Sequence, residues 1–377
     1  MRRSLLLPAV LLLLLLSACG GQEETGTGRA LAELVPSLTW EAPEELDAAR
    51  GFTLCRSREG YTLATVGDDG VFLLVPEGSP LPADLPEGVT PLSLPLKGIY
   101  LAASAGMDMV VKLDALDAVA YSSLPAEDWT IPQAREAMER GELVYAGKYS
   151  APDYERICTG GCPLAVENTM IYHSPEIRAQ LERFGVPVLV DQASREETPL
   201  GRMEWIKLYG ALLGREEAAR AVYETQAAAI RSLGEADTGQ TVAFFYLASN
   251  GEVKVRRPGD YVPQLIRAAG GRYAFDGLGE ADGLSTMTLQ WETFYAAAKE
   301  ADVLIYNSTV TESLRDRAEL TAKAPLLADF KAVRNGRVFC TGANFYQASM
   351  ELGDLALDLH RALTGETETL TYLELLE

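Results

Sequence analysis

Residues 203–233 contain no strand-like segment, and this helical stretch in the middle of the chain sets its plan. Trp205, Leu208, Tyr209, Leu212 and Leu213 fall at i, i+3, i+4, i+7 and i+8, the apolar stripe of one helix. Gly214 breaks it, and Ala219, Val222, Tyr223, Gln226 and Ile230 repeat the spacing up to Gly234. About 19 residues at 1.5 Å each make this second helix roughly 28 Å long. It is long enough to run from one folded lobe to another.

On both sides the texture alternates between strand and helix. Before the helices lie candidate strands at Ile99–Ala102, Val119–Tyr121, Leu143–Tyr145, Leu164–Glu167 and Val186–Val190, with helical stretches at Pro132–Arg140 and Pro175–Phe184. After them come strand Thr241–Ala248, helix Tyr261–Ala269 capped by Gly270-Gly271, helix Gln290–Lys299, strands Ala301–Tyr306 and Arg337–Cys340, and helix Gly353–Leu363. Such alternation predicts an α/β fold: two α/β lobes with central parallel sheets, joined by a single long helix, with a ligand cleft between them. A chain of 377 residues, 47% of them hydrophobic, has the material for two cores. The expected boundaries are an N-terminal lobe at 36–213, an inter-lobe helix at 214–234 and a C-terminal lobe at 235–377. Within the first lobe, 98–213 is the α/β core and 36–97 an extension. There, strand-like runs Tyr61–Val66 and Val71–Val75 flank the turn Asp68-Asp69-Gly70, and the Pro-rich residues 76–97 read as loop or edge.

The N-terminus carries an address. Arg2 and Arg3 precede an apolar run from Leu5 to Leu16, closed by Ser17, Ala18 and Cys19. That pattern is a secretory signal at 1–18, too short to span a bilayer comfortably. Leu16-Ser17-Ala18-Cys19 resembles the lipobox of bacterial lipoproteins, which implies a lipidated Cys19 at the mature N-terminus and anchoring to the outer face of a membrane. Residues 19–35 then serve as a flexible spacer, because Gly20–Arg29 has no aliphatic side chain to bury. No later segment is apolar enough to cross a membrane.

Net charge is −21, so nucleic acid is excluded as a partner and a docking partner that presents arginine or lysine is favoured. Cys55, Cys158, Cys162 and Cys340 leave disulfides open in an exported chain, with no connectivity readable; Cys158-x3-Cys162 around Gly160-Gly161 is the tightest pair. A metal site there lacks the second Cys pair or histidines that would complete it. Enzyme chemistry is not expected: there is no G-x-S-x-G, H-E-x-x-H or P-loop, and the two histidines, His173 and His360, are far apart. Two isolated histidines also argue against capture of a bare transition metal.

Residues 98–363 resemble the solute-binding proteins of bacterial ABC importers for iron–siderophores, haem and cobalamin, the class III periplasmic binding proteins. The resemblance rests on Pro152-Asp153-Tyr154-Glu155-Arg156-Ile157, Pro199-Leu200-Gly201-Arg202-Met203-Glu204-Trp205-Ile206 and Leu265–Gly271. Glu292 followed by Ala301-Asp302-Val303-Leu304-Ile305, and Lys331–Val338, complete it. It implies no intrinsic cofactor, and a cargo that arrives as a chelate, a ferric siderophore first, with haem or cobalamin as alternatives. It also implies a monomer that docks onto an ABC permease, with one glutamate on each lobe entering an arginine cluster. Glu155 and Glu292 match those positions, with Glu204 a rival for the first. Ligand contacts are expected at strand ends, at Ser104, Met107, Trp129, Tyr149, Tyr246, Arg256, Arg257 and Tyr346, where aromatic faces and guanidinium groups suit a large anionic chelate. A surface lipoprotein without a transport role is the reading from another class.

Overall fold

The computed structural model describes residues 34–279, 286–310 and 313–377. The signal, Cys19 and most of the spacer lie outside the described residues.

The extension is a four-stranded sheet of β1 (Phe52–Arg56), β2 (Thr62–Val66), β3 (Gly70–Val75) and β4 (Val89–Ser93), in that order. β4 comes from the Pro-rich stretch and carries Pro91, tolerated because β4 is an edge strand. Alternation splits the sheet's side chains between two faces. Phe52, Leu54, Ala64, Val66, Phe72 and Leu74 pack into the main core, while Cys55, Leu63, Leu73 and Val75 form a second cluster roofed by Leu38, Trp40 and Leu85.

The N-lobe core holds β5 (Ile99–Leu101), β6 (Val119–Ser122), β7 (Val144–Tyr145), the small hairpin β8 (Gly147–Lys148) and β9 (Ala151–Pro152), then β10 (Ala165–Asn168) and β11 (Val188–Asp191). Its parallel sheet runs β11-β10-β5-β6-β7. Ile99, Tyr100 and Leu101 are all buried, as both faces of a parallel sheet are covered.

Three helices follow β11, and the last of them leads into the C-lobe. Pro199–Glu204 is capped by Thr198, Ile206–Leu213 ends on left-handed Gly214 at φ 64°, and Glu216–Ser232 follows. The last has 17 residues, roughly 25 Å. Glutamates open it and Arg231 closes it, complementing the helix dipole.

The C-lobe sheet consists of β12 (Thr241–Leu247), β13 (Val253–Arg256), β14 (Arg272–Tyr273), β15 (Thr286–Leu289), β16 (Val303–Tyr306), β17 (Val338–Thr341) and β18 (Leu373–Leu375). Its order is β15-β13-β12-β16-β17-β18, with β14 also on β12. The expected parallel sheet holds for β12, β16 and β17, whereas β13, β15 and β18 run antiparallel at the flanks. The hairpin β12–β13 turns through Asn250-Gly251, a loop signal the alternation alone does not distinguish.

The four cysteines among the described residues are free thiols. Cys158 and Cys162 flank a Schellman closure of the helix Tyr154–Thr159. Gly161, at φ 70°, donates to the Cys158 carbonyl at 3.1 Å, and the Cys162 N–H donates to that of Ile157 at 3.3 Å. Burial pushes the Cys162 thiol up to about 11.

Candidate ligand cleft and docking positions

The residues that follow the carboxyl ends of the parallel strands β10, β11 and β16 are where a two-lobed α/β protein would hold a ligand. On the C-lobe side, Arg256 at the end of β13 is only 5% exposed. Its guanidinium donates to the Tyr346 hydroxyl, lies 3.5 Å from an Asp260 carboxylate oxygen, and sits 5.1 Å from the Tyr346 ring centre and 5.9 Å from that of Tyr261. Burial works against the Arg256 charge, but Asp260, Tyr261 and Tyr346 outweigh it and keep the cation. Burial likewise raises Asp260, opposed by Arg256. We read the pair as ionised, because Asp260 also caps the helix Tyr261–Ala268, accepting the Val262 N–H at 3.1 Å. Asn307, just past β16, donates its amide to the Tyr346 hydroxyl at 2.6 Å. Burial, with a smaller push from Tyr346 and opposed by Arg256, raises the phenol of Tyr246, half-buried on β12.

The N-lobe side adds cations. Arg202 donates to the Ser194 carbonyl at 3.0 Å and lays its guanidinium 4.0 Å over the Tyr261 ring. Burial, partly offset by Arg202 and Arg256, pushes the Tyr261 phenol up to about 12, so it stays neutral between the two guanidinium groups. Arg195 is exposed and lies 4.6 Å over the Tyr172 ring. Arg202, Arg256, Tyr261 and Tyr346 thus form one cationic and aromatic cluster with Asp260 as its carboxylate, in a chain of net charge −21.

Of the residues expected at the cleft, Tyr246, Arg256 and Tyr346 come together. Ser104 opens the helix Ser104–Lys112 and is half-buried. Arg257 is half-buried with Nη1 beside Gly279. Two residues are placed differently. Met107 and Trp129 are fully buried in the main core, and the Trp129 indole donates to Ser122 Oγ at 3.1 Å, so neither presents a face to a ligand. Tyr149 packs with Tyr100 and Tyr154 in a separate apolar cluster of the N-lobe. Arg202, Tyr261 and Asn307 join the cleft without having been singled out. Arg202 sits inside the Pro199–Ile206 run, and Asn307 directly follows an apolar strand, which is the signal that would have found it.

Glu155 and Glu292 are both exposed and each stands in the first turn of its helix, Tyr154–Thr159 and Trp291–Ala298. Glu204 is not available for docking. It is wholly buried, accepts the N–H groups of Asp47, Ala48 and Ala49 at 2.8 Å each, and pairs with Lys207 at 2.6 Å. Among the described residues no cluster of His, Cys, Asp and Glu is arranged to hold a metal ion, and no helix is long and apolar enough to cross a membrane.

Comparison with known proteins places this geometry. An uncharacterized lipoprotein of Methanocaldococcus jannaschii is 25% identical over 240 residues, 62% of this chain. The chain spans 56% of that relative's length. A crystal structure of an ABC transporter substrate-binding protein from Listeria monocytogenes aligns with a TM-score of 0.53 at 16% identity, over 72% of this chain and 99% of the other. A periplasmic haem binding protein from Pseudomonas aeruginosa aligns with a TM-score of 0.56 at 19% identity, over 74% and 96%. Both have the same two-lobed fold. Residues 103–344 match the family described as periplasmic binding protein. With that match over most of its length, and one helix joining its lobes, the chain belongs to the periplasmic binding protein family, in its class III form.

Proposed function

We propose that this chain is the substrate-binding component of an ABC importer, held at the extracytoplasmic face of a membrane through a lipidated Cys19. The cargo we propose is a metal chelate with anionic donor groups, a ferric siderophore of the catecholate or carboxylate kind. The observation that carries the cargo is one cluster: Arg256, pinned by Asp260 and Tyr346, and Arg202 both lie against the Tyr261 ring. Guanidinium groups recognise carboxylate and catecholate oxygens through paired, directional hydrogen bonds, and aromatic faces cover the flat parts of a chelate. The Tyr346 hydroxyl, already accepting from Arg256 and Asn307, keeps its own proton to donate to a ligand oxygen. Haem shares the anionic groups but asks for a broader apolar slot; cobalamin offers little negative charge.

Transport follows without covalent chemistry by the chain. The chelate is captured, the lobes close slightly because a helix and not a flexible strand pair joins them, and Glu155 and Glu292 seat the loaded protein on arginines of the permease. Titration of the protein from residue 30 onward with ferric catecholates, ferric carboxylates, haem and cobalamin, followed by tryptophan fluorescence, tests the reading. Saturable binding of a ferric chelate, lost in Arg256→Ala, supports it. Preference for haem or cobalamin corrects the cargo, and no binding across the panel removes the transport role.

A further inference from the structure

The loop between β17 and the helix Leu352–Thr364 starts in the C-lobe and is fastened to the N-lobe. Gln347 Oε1 accepts from both the Thr130 N–H, at 2.8 Å, and the Thr130 hydroxyl, at 2.7 Å, while Gln347 Nε2 donates to the Asp128 carbonyl at 2.8 Å. Two residues on, the Ser349 hydroxyl donates to the Ala105 carbonyl at 2.7 Å, and the Met350 N–H donates to Asp108 at 2.7 Å. The partner segment is itself rigid: the Trp129 carbonyl accepts from the Arg135 side chain at 3.2 Å, and the Trp129 indole is locked to Ser122. The residue immediately before Gln347 is Tyr346, whose hydroxyl joins Arg256 to Asn307 in the cleft wall.

Adjacent residues of one short loop therefore face opposite tasks, one in the cleft and one in the lobe-to-lobe contact. We infer that Gln347 is a positioning residue: its three hydrogen bonds to Thr130 and Asp128 fix the loop that carries Tyr346, so that the separation of the lobes and the posture of the cleft wall are set together. A primary amide suits this task because it offers acceptor and donor at once, matching a hydroxyl, an N–H and a carbonyl that a carboxylate or an alkyl group would leave partly unmet. The inference rests on the proposed cleft as the ligand site, but its test does not need a ligand.

Nitroxide labels at Met170→Cys and Val310→Cys, on the loops that follow β10 and β16, report the lobe separation. Both native side chains are accessible, at 47% and 49% exposure. Cys158→Ser removes the half-exposed thiol, and Cys55, Cys162 and Cys340 are buried. In that background Gln347→Ala is expected to lengthen or broaden the label-to-label distance by more than about 2 Å, the scale of a true rearrangement. Thr130→Val, which removes one of the three bonds, is expected to move it less and in the same direction. Tyr346→Phe, which leaves the loop's anchor intact, is expected to leave the distance unchanged. An unchanged distance in folded Gln347→Ala overturns the inference, and if that variant does not fold, an unchanged distance in Thr130→Val does so. Failure of the labelled parent to bind any ferric chelate would count against the proposed function alone, since the distance measurement stands without it.

Discussion

The Glu204 carboxylate accepts the backbone N–H of Ala49, 155 residues earlier in the chain, at 2.8 Å and out of contact with water. The same carboxylate takes the N–H groups of Asp47 and Ala48, and Glu196, eight residues before it, repeats the device, accepting from Arg50 at 2.9 Å, Gly51 at 2.8 Å and the Trp205 indole at 3.0 Å. Two buried acids thus stitch the extension to the helices that lead between the lobes. Asp47 continues the seam with its side chain, accepting from the Tyr223 hydroxyl at 2.7 Å and pairing with Arg231 at the far end of the inter-lobe helix.

Glu204→Ala should therefore be among the most damaging single changes. It strands three backbone donors and the Lys207 ammonium, each at a cost of about 1–3 kcal/mol when buried without a partner. A loss of roughly 3–5 kcal/mol is expected in denaturant unfolding. Glu204→Gln retains acceptors for part of the set and should fall between. A Glu204→Ala protein within 1 kcal/mol of the parent would show that the extension is not anchored here.

The acid at this position also shows where sequence reading stops. Strand and helix periodicity carries the two lobes and the single connecting helix, because buried faces repeat at fixed spacings. The same periodicity says nothing about which of two glutamates 49 residues apart is enclosed: Glu155 and Glu204 sit in equally family-like runs, and only the return of residues 47–49 over the second removes it from the surface. Met107 and Trp129 fail for a related reason. Each stands beside a strand end, but its rotation about the helix or turn aims it inward, a phase that one apolar residue cannot reveal. Arg256 and Tyr346, expected as ligand contacts, do meet each other, but Arg256 is buried as it does so, and a strand-end position alone does not reveal that burial.

Acid–base behaviour should follow from two buried carboxyls. Burial pushes Glu167 on β10 up to about 8, and neither of its oxygens has a hydrogen-bond partner. Burial and the neighbouring Glu351 raise Asp108 to about 8 as well, at the lobe contact where Lys112 pairs with Glu351 at 2.5 Å. A carboxyl raised on folding binds its proton more tightly in the folded state. Its contribution is complete below the unfolded value, 4.5 for glutamate, and is lost as pH rises through about 8. Stability should therefore decline between pH 5 and 8, with a slope of up to about 1.4 kcal/mol per pH unit per group. Glu167→Gln keeps the shape and removes the ionisation, so its decline should be shallower and its advantage over the parent largest above pH 8. Urea midpoints measured from pH 5 to 9 check this, and parallel curves for the two proteins would refute it.

Close packing beside the cleft gives a steric prediction. Gly106 lies in the helix Ser104–Lys112, and a Cβ there would stand 2.1 Å from the Tyr209 hydroxyl, which donates to the buried Asp191 carboxylate at 2.6 Å. Gly106→Ala should cost about 1–3 kcal/mol through overpacking, despite alanine's better helix propensity. Pairing it with Tyr209→Phe should recover little, because the buried Asp191 then keeps only the Ala193 N–H as a donor. Thermal melts of the single and double variants decide the point; a more stable Gly106→Ala would mean that the tyrosine moves freely.

The docking reading separates transport from binding. Glu155 and Glu292 are exposed, stand on different lobes, and are not among the partners of the Arg256–Tyr346–Asn307 cluster, so on the proposed reading their loss should leave chelate binding intact. Carboxylate–guanidinium pairs depend on orientation, and two of them on separate lobes fix both the contact and the angle at which the protein sits. Replacing one with alanine leaves a single pivot and should weaken uptake in cells carrying the cognate permease by about tenfold, on the order of one charge-assisted pair. Replacing both should abolish uptake while the chelate dissociation constant in solution stays within about twofold of the parent. Charge reversal of both to lysine should do the same and add repulsion. Loss of chelate affinity in the double variant would place these glutamates in the cleft instead, and unimpaired uptake would move the docking face to another part of the acidic surface.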